Sequence, residues 1–382
     1  VKTIAALLGS YGLAVTVVLL LFLLTLLGTL EQTESGLFLV QKKYFESLFL
    51  IHWIGGTVPL PLPGVSLLLA VLFVNLVVGG IVRMRKRADT IGVLIIHVGI
   101  LLLLAAGFVK FEFSSDGQLT LFEHQASDEF QSTNEWEIAI YDATQAESVP
   151  ELIIPASDFA DLTGAETRTF ENGDLPFRIT LSRFEPNCTV LRQGTGGTAG
   201  SPAIDGFVLG RSAPEKEAER NVAGICAKLA LTDGSASCEG ILWGMERYPF
   251  VAGQRWAVDL RHKRYRMPFT IVLDRFTREL HPRTAMAKVF LSEVTKIENG
   301  VSEQRRIEMN EPLRQDGLVL FQASWGPDGG KPGELFSTLA VVRNPSDQWP
   351  LVACIVITIG MTVTFVQKLA GYMRAQASRR LP

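Results

Sequence analysis

Five histidines and four cysteines are the side chains in this 382-residue chain best suited to hold a metal or pass a proton. No cysteine stands in C-x-x-C or C-x-x-C-H. That excludes a thioredoxin-type dithiol, a cysteine zinc knuckle and covalently attached c-type haem on this chain. His97 is set apart because it lies inside an apolar run, as Ile95-Ile96-His97-Val98-Gly99. An ionisable group in a bilayer is costly and marks a functional position by default. A neutral imidazole can coordinate a metal. Asn75 lies in the preceding apolar run, at a similar distance from the short linker joining the two. Its carbonyl could accept the imidazole N–H and leave the other ring nitrogen for a metal. The competing reading is that both side chains only tie neighbouring helices together. The residues alone leave both readings open.

The other histidines carry less. His52, beside Trp53, reads as a ligand, a gate or an ordinary interfacial histidine. His124, His262 and His281 sit among charges and turns, and Arg261-His262-Lys263-Arg264 reads as a solvated basic face. No two histidines have metal-ligand spacing on one helix, and no Ser/His/Asp or paired-carboxylate constellation can be picked out.

The elements that must position His97 are membrane spans. Apolar residues make up 47% of the chain and charged ones 20%, below the charged share of about 25% usual for soluble domains. The apolar residues gather in four runs, about 4–30, 65–82, 91–109 and 350–366. Crossing the hydrocarbon core takes roughly 20 residues. The first run exceeds the length of a signal-peptide core, so it reads as a retained span. Lys2, the linker Arg83/Arg85/Lys86/Arg87 and the tail Lys368/Arg374/Arg379/Arg380 are all basic. With four spans these three places share a side, and the positive-inside rule makes that side cytoplasmic. The expected layout is a membrane region 1–109 with an outer loop 31–64, an extracytoplasmic domain 110–349, and a fourth span with a basic tail, 350–382. The net charge of −3 gives no basic surplus for nucleic acid.

Residues 110–349 alternate in period 2, as in Trp136–Tyr141, Phe177–Leu181, Phe269–Leu273 and Leu318–Phe321, so a β-rich domain large enough to offer a docking face is expected. Gly194–Pro202 reads as a separating cluster and Glu215–Arg220 as a solvated loop. Leu175-Pro-Phe-Arg-Ile-Thr-Leu-Ser-Arg-Phe184 resembles Met267-Pro-Phe-Thr-Ile-Val-Leu-Asp-Arg-Phe276, which points to two related β-units facing each other or to chance recurrence. In 31–64, Phe38, Phe45, Phe49 and Trp53 fall on a helical stripe, so an interfacial amphipathic helix is expected, broken by Pro59–Pro63. Cys226–Cys238 is the expected disulfide in an oxidising compartment. Cys354 reads as a packing residue, and Trp243, Trp256 and Trp325 as core.

An ordered series of short motifs then resembles the ResB-type (Ccs-type) cytochrome c biogenesis proteins of system II. It begins with Gly28-Thr-Leu-Glu-Gln-Thr-Glu-Ser-Gly-Leu37 and Gln41-Lys-Lys-Tyr-Phe-Glu-Ser47. Pro63-Gly64, Asn75-Leu76 and His97-Val-Gly-Ile follow. Next come Arg264-Tyr-Arg-Met-Pro268-Phe269, Phe290-Leu-Ser292 and Glu308-Met-Asn310-Glu-Pro312. Phe321-Gln-Ala-Ser-Trp325 and Val341-Val-Arg-Asn-Pro345 close the series, while 185–255 is not diagnostic.

The resemblance implies a multi-pass protein of the bacterial cytoplasmic (inner) membrane, working with a CcsA-type subunit to carry haem across and attach it to apocytochrome c. His97 would be one axial ligand of a transient haem b, with Asn75 beside it and the second ligand from the partner. Thiol-reducing proteins are further expected partners. The tryptophan-rich haem-handling motif of the partner is not found here, so this chain would be a non-catalytic or co-catalytic subunit of the haem lyase. The rival readings are a cytochrome b-like electron carrier, which wants paired intramembrane histidines, and a scaffold displaying a β-domain.

Overall fold

The computed structural model describes residues 2–144, 150–194, 203–245, 248–249, 255–283, 287–327 and 335–379. The Gly194–Pro202 cluster from residue 195 onward, and Arg380 of the tail, lie outside these residues. The chain divides into two compact units, one of residues 1–114 and 343–382, the other of 115–342.

The first unit is helical. It contains α1 (Lys2–Leu8), α2 (Tyr11–Ser35), α3 (Leu37–Val40), α4 (Val65–Asn75), α5 (Ile91–Phe113) and α6 (Trp349–Arg379). Four segments are long and apolar enough to cross a membrane: Tyr11–Ser35, Val65–Val82, Ala88–Phe113 and Trp349–Gln376. This is a membrane protein with four candidate membrane helices and a β-rich domain, as the hydropathy pattern indicates. The first apolar run is not one helix, however. It breaks at Gly9–Ser10, where the Ser10 hydroxyl caps α2 by accepting the Leu13 N–H at 3.2 Å. The second span changes from α to π geometry over Leu76–Val82.

The loop after α2 departs from the expected amphipathic helix. Helix persists only through α3 and a π turn at Gln41–Phe45. An antiparallel hairpin follows, β1 (Phe49–Ile54) with β2 (Val58–Pro63). The spacing of Phe45, Phe49 and Trp53 also fits alternate strand positions from Phe49 on, and the prolines of β2 favour extended backbone. Pro59–Pro63 therefore builds a strand instead of breaking a helix.

α5 and α6 pack closely through small residues. A Cβ added at Gly99 would meet Ile357 Cγ1 at 2.6 Å, and one at Gly360 would meet the Gly92 carbonyl at 2.7 Å. Small residues let membrane helices approach at backbone distance. Cys354 is exposed on α6 and is not a packing residue there.

The second unit is sheet. In chain order its strands are β3 (Ser115–Phe122), β4 (Ala126–Asp142), β5 (Leu152–Pro155), β6 (Thr167–Phe170), β7 (Phe177–Glu185) and β8 (Cys188–Arg192). Then come β9 (Phe207–Arg211), β10 (Gly224–Leu231), β11 (Ser237–Trp243), β12 (Tyr248–Pro249), β13 (Trp256–Leu280) and β14 (Ala287–Glu298). The last are β15 (Val301–Glu308), β16 (Leu313–Gln315), β17 (Leu318–Gly326) and β18 (Phe336–Arg343). The large sheet runs β15-β14-β13-β4-β3-β18-β17-β16, with β5 on β4 and β12 on β13. A smaller sheet runs β11-β10-β7-β6, and β8 pairs with β9.

Two cores result. In one, Phe177, Ile179 and Leu181 of β7 pack on Ile138 and Ile140 of β4 and Val258 and Leu260 of β13. In the other, Phe269, Ile271 and Leu273 of β13 join Leu119, Val294, Ile307, Leu320 and Val341. The near-repeat falls on these two strands. In each copy the buried residues alternate and then skip one position, Phe177/Ile179/Leu181/Phe184 and Phe269/Ile271/Leu273/Phe276. A register shift accompanies each skip, as a β-bulge requires. The two copies serve separate cores and do not face each other.

The cysteines do not form the expected pair. Cys238 lies opposite Leu229, three residues from Cys226 along β10. An odd separation puts the two thiols on opposite faces of the sheet, where no disulfide can close. Cys226 instead packs with Cys188, Ile204 and Leu209 under the β8–β9 hairpin. Burial pushes the Cys188 thiol up to about 12 and the Cys226 thiol up to about 11. Trp243, Trp256 and Trp325 are only half-buried, and the core tryptophan is Trp136.

The Arg261–Arg264 run is not a solvated basic face. Arg261 pairs with Glu137 and Glu151, Lys263 with Glu135, and His262 stacks on Trp136 at 4.0 Å between ring centroids. Burial holds the His262 pKa below its ordinary value. Its contribution to stability is therefore complete above about pH 6.5 and is lost as pH falls below that. We expect His262→Gln to flatten the rise in unfolding temperature between about pH 5 and 7, measured on the purified chain in detergent. An unchanged slope would show that the stacked ring does not titrate in that window.

Candidate functional site

His97 is the seventh residue of α5, about 9 Å along the helix from Ile91. The glycine stripe Gly92/Gly99 faces α6. Two residues before Gly99, at 100° per residue, His97 looks away from that stripe. It lies against the π-helical end of the second span, where a Cβ on Gly80 would meet the ring at 3.0 Å. Any side chain at 80 would displace the imidazole. π-Helical insertions occur disproportionately at functional sites. His97 Nδ1 is buried and has no hydrogen-bond partner.

Asn75 does not serve His97. Its Nδ2 donates to the carbonyls of Leu8 at 2.6 Å and Ser10 at 3.1 Å. The break at Gly9–Ser10 frees carbonyls in an apolar region, where each must find a donor. Asn75 supplies it, and Gly79 lets the break approach, with Gly9 backbone 2.8 Å from where its Cβ would stand. Arg83 Nη1 donates to Ala5 O at 3.0 Å, and Gln367 Nε2 to Ala88 O at 2.8 Å. The N-terminal helix, the basic linker and the distal part of α6 therefore meet at one end of the helical unit. This is the shared side that the three basic segments require.

A second polar constellation joins residues that sequence reasoning left apart. Tyr44 is completely buried. Its hydroxyl donates to Glu31 Oε2 at 2.7 Å and lies 2.6 Å from His52 Nδ1. Lys43 Nζ bonds both Glu31 carboxylate oxygens, at 2.8 and 3.0 Å. Burial first, then the Glu31 carboxylate, holds the Tyr44 hydroxyl protonated well beyond the ordinary phenol range. Tyr44 has one proton, and the carboxylate accepts it. His52 must then be the donor through Nδ1–H. The network uses the ring's inner nitrogen and locks the end of α2 to the hairpin. Its signal was in the sequence: Glu31 lies in Gly28–Leu37 and Lys43-Tyr44 in Gln41–Ser47, two of the motifs that carry the resemblance.

The β-unit offers an open cleft of about 520 Å³, with Arg261, Arg264 and Arg266 facing Glu129, Glu137 and Glu151. The Arg261 guanidinium holds the Glu151 carboxyl below the usual carboxylate range. Elsewhere in this unit, Phe290 and Ser292 meet Trp325 and Gln322. The rings are 6.3 Å apart, and Ser292 Oγ donates to Gln322 Oε1 at 2.6 Å. Among the described residues no group of three or more His, Cys, Asp or Glu could hold a metal ion. His124 and His281 are exposed at turns.

Comparison with known proteins accords with the ordered motifs. Residues 220–333 match the ResB-like family, wholly within the β-unit. A stretch of 87 residues is 38% identical to the cytochrome c biogenesis protein CcsB of Prochlorococcus marinus (strain NATL1A). That stretch is 22% of this chain and 20% of the relative, so the alignment spans about a fifth of that protein's length. His97 lies outside the ResB-like segment.

If Asn75 satisfies the broken helix, Asn75→Leu should lower stability by about 1–3 kcal/mol, the penalty for stranding the Leu8 carbonyl, since the Ser10 carbonyl keeps the Ala14 N–H. Thermal unfolding in detergent reads this directly. Wild-type stability in the variant would remove the role assigned here.

Proposed function

We propose that this chain is a membrane subunit in cytochrome c biogenesis, taking part in haem delivery and in haem attachment to apocytochrome c with a CcsA-type partner. The observation that carries the reading is the His97 imidazole. It is held against Gly80 with one nitrogen buried and unpaired, in a chain whose β-unit is ResB-like. Haem is cargo here, and its iron takes nitrogen lone pairs as axial ligands. His97 supplies one such ligand from this chain and a partner span supplies the second. Gly80 leaves room for the ring against the second span. Asn75 acts at a distance, by holding α1 and the second span in place.

The basic end of the helical unit faces the cytoplasm of a bacterial inner membrane, by the positive-inside rule. His97 then lies on the side where haem is made, and the β-unit lies outside as the docking surface for apocytochrome or partner. The thiol-reducing proteins that keep apocytochrome cysteines free are further partners. This chain acts as a haem-handling and co-catalytic subunit rather than a lyase by itself. A b-type electron carrier would need a second intramembrane histidine, and the spans contain only His97.

His97→Ala should abolish most of the haem retained by the assembled complex and stop cytochrome c maturation, with the protein still present in the membrane. Gly80→Leu should do the same without touching the imidazole chemically. Normal haem content in His97→Ala at normal expression would refute the ligand role. A reporter fused after residue 88 should give a cytoplasmic signal, and an external signal there would overturn the orientation.

A further inference from the structure

We propose that the β1–β2 hairpin is a membrane-interface anchor, seated in the bilayer between headgroups and upper acyl chains. The proposal rests on the reading of the apolar helices as membrane spans. Residues 47–82 contain no Asp, Glu, Lys or Arg. On one face of the hairpin Phe49, Ile51 and Trp53 are 73%, 53% and 52% exposed. Each stands opposite a proline: Phe49 with Pro63, Ile51 with Pro61, Trp53 with Pro59.

The placement of those prolines decides the environment. The Gly64 N–H donates to Leu48 O at 2.7 Å. In an antiparallel ladder bonded and non-bonded pairs alternate. The bonded pairs are therefore Leu50/Leu62, His52/Leu60 and Ile54/Val58. Pro59, Pro61 and Pro63 take the other positions, where an N–H would point off the free edge of β2. Proline has none. Water would satisfy outward donors without cost, whereas lipid would not. The same prolines also deny that edge to a strand-adding protein. The outward amides of Phe49, Ile51 and Trp53 on β1 and the outward carbonyls of the three prolines on β2 remain, which holds both edges at headgroup level, where water and headgroups reach them, while the apolar face turns to the acyl chains.

Two further observations agree. His52, the one titratable side chain on the hairpin, bonds to Tyr44 inside the unit. The hairpin is also tied to the spans: β2 ends at Pro63 and α4 begins at Val65. Six strand residues reach only about 20 Å, so the apolar face cannot travel far from the bilayer.

The test uses the full chain with fluorotryptophan, in nanodiscs of phosphatidylcholine and phosphatidylglycerol. The Trp53 resonance is identified by its loss in Trp53→Phe, and those of Trp349 on α6 and Trp256 in the β-unit likewise. A nitroxide near the headgroup end of a lipid chain should broaden Trp53 and Trp349 at least about three-fold more than Trp256. A water-soluble gadolinium chelate should broaden Trp53 less than an exposed site. Trp349 broadened by lipid but Trp53 only by the chelate would overturn the anchor and leave the spans standing. Trp53 broadened by neither would mean that protein covers the hairpin, which also overturns it. Loss of the lipid effect at both tryptophans would overturn the span reading and the anchor with it.

Discussion

An apolar slab offers no hydrogen-bond partners, so every polar group placed in it must be satisfied from within the protein. The helical unit follows this constraint closely. The hydroxyls of Thr25, Thr29, Thr358, Thr362 and Thr364 bond back to their own helices. The break at Gly9–Ser10 is answered by Asn75. Tyr44 stands between Glu31 and His52, and Ser346 donates to Ala106. Among the described residues of this unit, His97 Nδ1 and Gln367 Oε1 are the buried side-chain atoms without a partner. Gln367 sits toward the basic end and uses its amide nitrogen. His97 is well inside a span, pressed on a glycine, and nothing among the described residues answers it. That exception is the physical basis for assigning it a ligand from outside the chain.

The β-unit solves a different problem, how one long strand can serve two cores. β13 runs for 25 residues, and register shifts re-aim its side chains along the way. Val258 and Leu260 enter one core, Phe269, Ile271 and Leu273 the other. Between them the basic residues of Arg261–Arg266 pair with carboxylates from β4 and with Glu151. The ResB-like match covers the whole of this strand, so the similarity to the family rests on the part of the chain that holds the sheet together.

Spans and strands were legible because burial imposes period and length on sequence. The hairpin was misread as helix because three aromatics four residues apart satisfy both periods near their start, and only the pairing of β1 with β2 separates them. The partner of Asn75 was not legible because Gly9–Ser10 looks like part of an unbroken apolar run. The Cys226–Cys238 pairing failed on register, since three residues along a strand change the face. The motifs fared better than their separate weights implied. Glu31 with Lys43-Tyr44, and Ser292 with Gln322, are contacts, so residues read as isolated signatures are two halves of one interaction.

The central claim is that His97 binds the haem iron while the cargo is held in the membrane. Electron paramagnetic resonance of the oxidised complex, purified with its partner subunit, tests it most directly. The account predicts a low-spin, two-imidazole signal for the unaltered complex, a high-spin signal for His97→Gly, and return of the low-spin signal when imidazole fills the vacated position. An unchanged low-spin signal in His97→Gly would contradict it.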